Sequence, residues 1–367
     1  MVDQWTRRFN ARPLSQTPVL SGQREAEMKK NAWITVIVGL TLVFTGVAFS
    51  QAETITLTLT DQHSEYAWGS VHALQPWVKQ VERASKGQVK IQIYPNQALT
   101  RAEDNWNAVK NGSADIGLCS HGYWPGMTPL ADVIGLPALP FKTAEKGSEV
   151  LWKLYEMFPT MQKQFEENHV LLLYTSPPQT LITTQKRVKT LEDVQGLKIR
   201  TTKGPPADQI LAMGGTPMLI PLSDTYASMQ MGNIDGTGAT YEAILGLRLY
   251  EVVKFYTEVP FPADYFSIVM NNNKWESLPQ GVKDAIASVS GPQGAQFWGR
   301  NFFDSAKEGL FQKSGVEINF YSLPDVERDR WREIGGEPIW NQWVNSMKEQ
   351  GYPEAQDILM RALDMMK

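Results

Sequence analysis
LEDVQGLKIRTTKGPPADQILAMGGTPMLIPLSDTYASMQMGNIDG, residues 191–236, reads as strand, helix, strand, helix, strand. Leu197 and Ile199 share one face of the first strand by the two-residue period, and Lys198 and Arg200 share the other. Pro205 opens a helix that Gly214 and Gly215 close. A short apolar strand is expected over 218–220; Ser223 is placed to cap the next helix, Asp224 suits its positive end, and Gly232 stops it. In open α/β sheets ligands collect beyond the carboxyl ends of strands, where Arg200 stands. A guanidinium there matches both oxygens of a carboxylate. A solvated arginine or a surface ion pair is the ordinary alternative.

The same alternation extends upstream. Ile55, Leu57 and Leu59 alternate with threonines, as in a half-buried strand. Val71, Leu74, Trp77, Val78, Val81 and Ala84 form a helical stripe that Gly87 ends, and Val89, Ile91 and Ile93 alternate again. Strand, helix, strand is a βαβ unit with a right-handed crossover. A helix over 104–110, a strand over 115–119 and another over 170–174 follow, and 278–313 is largely helical. Two α/β units with a crevice between them describe a ligand-binding clamp.

GLKIR at 196–200, GTP at 215–217, PLSDTYASMQMGNIDG at 221–236 and LYEVVKF at 249–255 resemble the solute-binding proteins of tripartite ATP-independent periplasmic (TRAP) transporters, of the DctP-like type. WVKQVERASKGQVKIQIYPNQAL at 77–99, NGSADIGL at 111–118 and LPALPF at 136–141 carry the same likeness, so it covers nearly all of 53–367 in order. It implies an α/β, two-domain periplasmic binding-protein clamp, each domain a β-sheet flanked by helices, with a long helix bracing both. The expected division is 53–177 plus about 265–300 for domain I, and 178–264 plus about 301–367 for domain II. It also implies small and large membrane subunits as partners, ion-coupled uptake and a periplasmic location.

The ends and the composition fit. Lys29 and Lys30 precede an apolar run over 32–49, and Ser50-Gln51-Ala52 supplies small residues where a signal peptidase reads. Residues 28–52 are therefore expected to be a signal peptide cleaved after Ala52; a membrane anchor is the competing reading. Residues 1–27 are polar and non-periodic and are expected to be absent from the mature protein, which keeps no membrane insertion of its own. The chain carries 35 Lys/Arg against 39 Asp/Glu, net −4; removing the six basic and three acidic residues of 1–52 takes it to −7. With no basic run, nucleic acid is a poor partner. The single cysteine, Cys119, rules out an internal disulfide.

No chemistry is demanded. Cys119, Ser120 and His121 are adjacent, but neighbours on a strand point to opposite faces and no G-x-S-x-G elbow is present, so a nucleophile with its base is not expected here. The histidines His63, His72, His121 and His169 form no zinc spacing, and Gly236-Thr237-Gly238 is not a phosphate loop. Neither an enzyme nor a cofactor is expected. A periplasmic ligand sensor, and behind it a secreted α/β enzyme, remain the alternative classes.

The resemblance places Arg200 on the family's carboxylate-binding arginine and Ser120 on a position that faces ligand, with His121 beside it. The loop Asp61-Gln62-His63-Ser64 follows the first strand and should open on the crevice. Tyr66, Trp68, Tyr123, Trp124 and Tyr241 are candidate apolar walls. Three positions depart from relatives: Ala239 stands where an asparagine binds ligand, Thr180 where a second arginine occurs, and Leu222 where phenylalanine is frequent. One remaining cation among aromatics argues for a monocarboxylate with an apolar or aromatic body.

Overall fold
The computed structural model describes residues 54–314 and 320–367. The expected leader, 28–52, lies outside them. Among the described residues eleven strands run β1 (Ile55–Thr60), β2 (Val89–Tyr94), β3 (Ile116–Ser120), β4 (His169–Thr175), β5 (Thr180–Thr183), β6 (Lys198–Thr201), β7 (Thr216–Leu219), β8 (Gly236–Ala239), β9 (Phe255–Glu258), β10 (Tyr265–Met270) and β11 (Phe320–Ser322). They make two sheets, β2-β1-β3-β10-β4 and β11-β9-β5-β8-β6-β7. Helices flank both, giving the two-domain clamp.

Within each sheet the βαβ units supply parallel pairs: β1 lies parallel to β2 and β3, and β6 parallel to β7 and β8. The carboxyl ends of β1, β3, β6 and β8 are thereby the places where functional loops emerge. β10 runs antiparallel between β3 and β4. Its YFSIVM sequence is buried at every position, because both faces are covered. At the outer edge of the second sheet, Pro217 of β7 pairs with Ile199.

Local signals behave mostly as their chemistry requires. Pro205 occupies the first turn of the helix Pro205–Ala212, and Gly214 takes a φ of +80° just past its end, where a side chain would be strained. The following strand is Thr216–Leu219, two residues earlier than expected at its start. Ser223 does not cap the helix Thr225–Gln230: its hydroxyl bonds the Asp224 carboxylate and leaves the first-turn amides without it.

The chain crosses between sheets at 176–179 and 259–264, and the two crossings are stitched together. Ser176 N donates to Asp264 O at 2.8 Å, Asp264 N to Ser176 Oγ at 2.9 Å, and Gln179 N to Pro262 O at 3.2 Å. A third crossing is helical. The helix Gly291–Trp298 passes through a π-helical segment, Gly299–Asp304, into Ala306–Ser314. Trp298 and Phe302 are buried in the first sheet's core and Leu310 in a core of the second, so this helix braces both. Asp304 accepts hydrogen bonds from Ala144 N (2.8 Å) and Glu145 N (3.0 Å), satisfying two orphan amides that open the helix Ala144–Met157.

The end of the chain differs from the expected division. That division assigns 301–367 to domain II, but the helices Glu337–Glu349 and Ala355–Met365 set Trp340, Trp343, Ile358 and Leu359 into the first sheet's core. Trp340 Nε1 and Trp343 Nε1 also donate to the carbonyls of Pro137 and Pro129. An amphipathic stripe specifies burial but not which core receives it.

Candidate functional site
Arg200 leaves the end of β6 half-buried. Its Nε donates to the carbonyl of Ile220 at 3.0 Å, which aims the two terminal nitrogens away from the strand. Among the described residues no carboxylate ion-pairs with it, and no hydrogen bond reaches those nitrogens. Burial pulls the guanidinium down from its usual value, while the charges of Asp264 and Tyr123 pull it up. An arginine stays protonated under such pressures. A half-buried cation with an unused fork has the chemistry to receive an anion.

Asp264 and Gln179, which no local sequence signal singles out, stand beside it on the stitched crossings. Gln179 Nε2 donates to Asp264 Oδ2 at 2.8 Å. Burial pushes the Asp264 carboxyl up, and Gln179 and Arg200 draw it back. Gly238, next to the Arg200 partner Thr237, has no room for a side chain: a Cβ would overlap Gln179 Oε1. Tyr123, 48% exposed, feels the Arg200 charge from the loop after β3. Thr180 and Ala239 are register partners at the ends of β5 and β8, and both are buried. Leu222 (40%) and Tyr66 (79%) expose their side chains on loops after β7 and β1.

Several expected site residues are occupied elsewhere. His121 lies in the core, with Nε2 3.0 Å from Ser267 Oγ and Nδ1 3.1 Å from Thr128 Oγ1, and its ring stacks on Tyr265 at 4.7 Å. Burial drives it down to about 3, so it is a neutral structural histidine. The chain continues from Thr128 to the Tyr265 hydroxyl (2.8 Å) and on to Asp132 (2.6 Å), whose carboxyl burial raises to about 6. Ser120 is half-buried at the end of β3. His63 is bound to Asp61 through Nδ1 (2.8 Å) and also feels Glu242, from the helix after β8. Trp124 donates to the Glu103 carbonyl at 2.9 Å. Tyr241 turns toward Glu258 and lies under the Lys307 ammonium, 5.2 Å from the ring centre.

Thr180, Gln179, Tyr241, Glu258, Lys307 and Arg328 line part of a cavity of about 880 Å³, but Arg200 is not in its wall. Some of that cavity's charges are spent, Lys307 on Glu258 and Arg332 on Asp329 and Glu337, while Arg328 donates Nε to the Leu323 carbonyl. Arg200, at the carboxyl end of a parallel strand, is the candidate anchor. Catalytic groupings are not evident. Burial pushes the Cys119 thiol up, and no group of three or more metal-ligating side chains gathers among the described residues. Among those residues no helix is long and apolar enough to cross a membrane.

The model of the bacterial extracellular solute-binding proteins of family 7, DctP, matches residues 69–346. The chain belongs to the DctP family. It is thus a TRAP-type solute-binding protein, and the family is one of receptors rather than enzymes. A TRAP solute-binding protein from Rhodoferax ferrireducens in complex with copurified benzoate superposes with a TM-score of 0.79 at 22% identity, covering 85% of this chain and 98% of that one. One from Bordetella bronchiseptica with bound (R)- and (S)-mandelate has a TM-score of 0.76 at 26% identity, again covering 85% and 98%. The 2,3-diketo-L-gulonate-binding periplasmic protein YiaO of Escherichia coli is 21% identical over 290 residues, 77% of this chain and 84% of that protein.

Proposed function
We propose that this DctP-family protein captures a small monocarboxylate with an apolar or aromatic body between its two closing domains. The observation that carries the reading is Arg200: half-buried, at the carboxyl end of β6, with its terminal nitrogens uncommitted among the described residues. The acid docks on that fork, and the domains close about the stitched crossings. Closure excludes water and so strengthens the ion pair. Tyr123 and Leu222, both exposed, then supply apolar walls. Ala239 and Thr180 offer no second charge, which disfavours a second ligand carboxylate.

Of the relatives named above, two hold benzoate and mandelate and the third binds 2,3-diketo-L-gulonate, all carboxylic acids, which supports an organic-acid ligand. In this reading the leader 28–52 is removed on export to the periplasm, and the closed form delivers its acid to small and large membrane subunits for ion-coupled uptake. The two states must differ in affinity for those subunits, or closure would carry no signal. Native mass spectrometry of the purified protein, followed by thermal shift against an organic-acid panel, tests it. A co-purified monocarboxylate that is lost in Arg200→Ala is expected. Unchanged affinity in that variant refutes the anchor.

A further inference from the structure
We propose that Asp264, positioned by Gln179, accepts a hydrogen bond from a hydroxyl on the carbon next to the ligand carboxylate, so that the crevice prefers 2-hydroxy acids over their deoxy counterparts. The inference rests on Arg200 as the carboxylate anchor. Arg200 and Asp264 interact electrostatically, yet no ion pair joins them. Arg200 lies on β6 of the second sheet and Asp264 at the entry to β10 of the first, linked through Gln179, which bonds Asp264 and abuts Gly238 beside the Arg200 partner Thr237. A molecule that lies between them meets a cation on one side and a carboxyl on the other.

The Asp264 carboxylate is held with one oxygen committed and one available. Gln179 Nε2 donates to Oδ2 at 2.8 Å, and among the described residues no donor reaches Oδ1. The backbone on both sides is fixed by the Ser176 bonds, and the Gln179 amide is wedged against Gly238 with its oxygen toward that glycine. A simple carboxylate docked on Arg200 would sit near the Asp264 carboxyl with no donor between their oxygens, which is unfavourable. A hydroxyl on the adjacent carbon supplies that donor as a hydrogen bond to Oδ1. Because the acceptor is half-buried, leaving it without a donor is penalised, so a preference of about tenfold or more is expected.

Titration calorimetry of the purified protein with two matched pairs, lactate against propionate and mandelate against phenylacetate, tests this. The expected result is at least tenfold tighter binding of the hydroxy member in any pair that binds. Asp264→Ala should narrow the ratio below threefold; should that variant fail to fold, the near-isosteric Asp264→Asn must reduce the ratio at least threefold. Equal affinity within a pair, with binding lost in Arg200→Ala, overturns the hydroxyl preference and leaves acid capture standing. If none of the four acids binds, both readings fall.

Discussion

Replacing Asp132 by asparagine isolates one carboxyl in the chain Ser267–His121–Thr128–Tyr265–Asp132. Asp132 is raised to about 6, chiefly by burial and despite the Tyr265 hydroxyl. In the unfolded chain it titrates near its ordinary value of about 4. Between those values the folded state binds more protons than the unfolded one, so stability falls as pH rises through the window. At roughly 1.4 kcal/mol per pH unit, ionised Asp132 costs the fold about 2–3 kcal/mol at pH 7 and nothing below about 4. The side-chain amide of Asp132→Asn keeps an acceptor for Tyr265 and never ionises. His121 acts in the opposite sense: lowered to about 3 in the fold, it makes stability fall as pH drops below about 6.5. In the unmodified protein the two slopes oppose each other between about pH 4 and 6. Urea unfolding at pH 4, 5, 6 and 7 should therefore give a stability difference, variant minus parent, that grows by about 2–3 kcal/mol from the acid end to the neutral one. A difference that stays constant across the series would refute the reasoning.

Other outcomes follow from the same geometry. Arg200→Lys, whose ammonium cannot present two parallel donors, should weaken acid binding by about 2 kcal/mol or more in titration calorimetry, without lowering the melting temperature of the free protein. Asp304→Ala leaves the amides of Ala144 and Glu145 without their acceptor and should cost roughly 2 kcal/mol in urea unfolding, with an unchanged slope. Gly299→Ala drives a methyl group into the carbonyl of Ala144 and should lower the unfolding midpoint by an equivalent of about 1–3 kcal/mol.

Much of the fold is legible because its signals are local. Alternation in 55–59 and 89–93 and the Pro205/Gly214 bracket are read from neighbours in sequence, and they place Arg200 at a strand end without any long-range information. β10 gives no such signal: a largely apolar hexapeptide is equally compatible with a buried helix, and its partners β3 and β4 lie about 90 to 150 residues upstream. The site divides along the same line. His121 next to Ser120 looks like a polar pair at a strand end, but its partner Ser267 is 146 positions away, and only that partner reveals a core residue. Asp264 is invisible for the converse reason, since nothing in Pro262-Ala263-Asp264 announces that a guanidinium will act on it. The Ser223 cap is lost on a near tie, the adjacent carboxylate competing for the hydroxyl.

Pro217 has a consequence for how copies of the protein coexist at high concentration. A terminal strand presents unpaired amides and carbonyls that can template a strand from another molecule, the first step toward swapped or fibrillar aggregates. On β7 one of those amides does not exist, and the ring that replaces it obstructs a second backbone from approaching. The strand is also only four residues long, Thr216–Leu219, too short to hold a stranger in register. The second sheet is thus closed to recruitment at that margin.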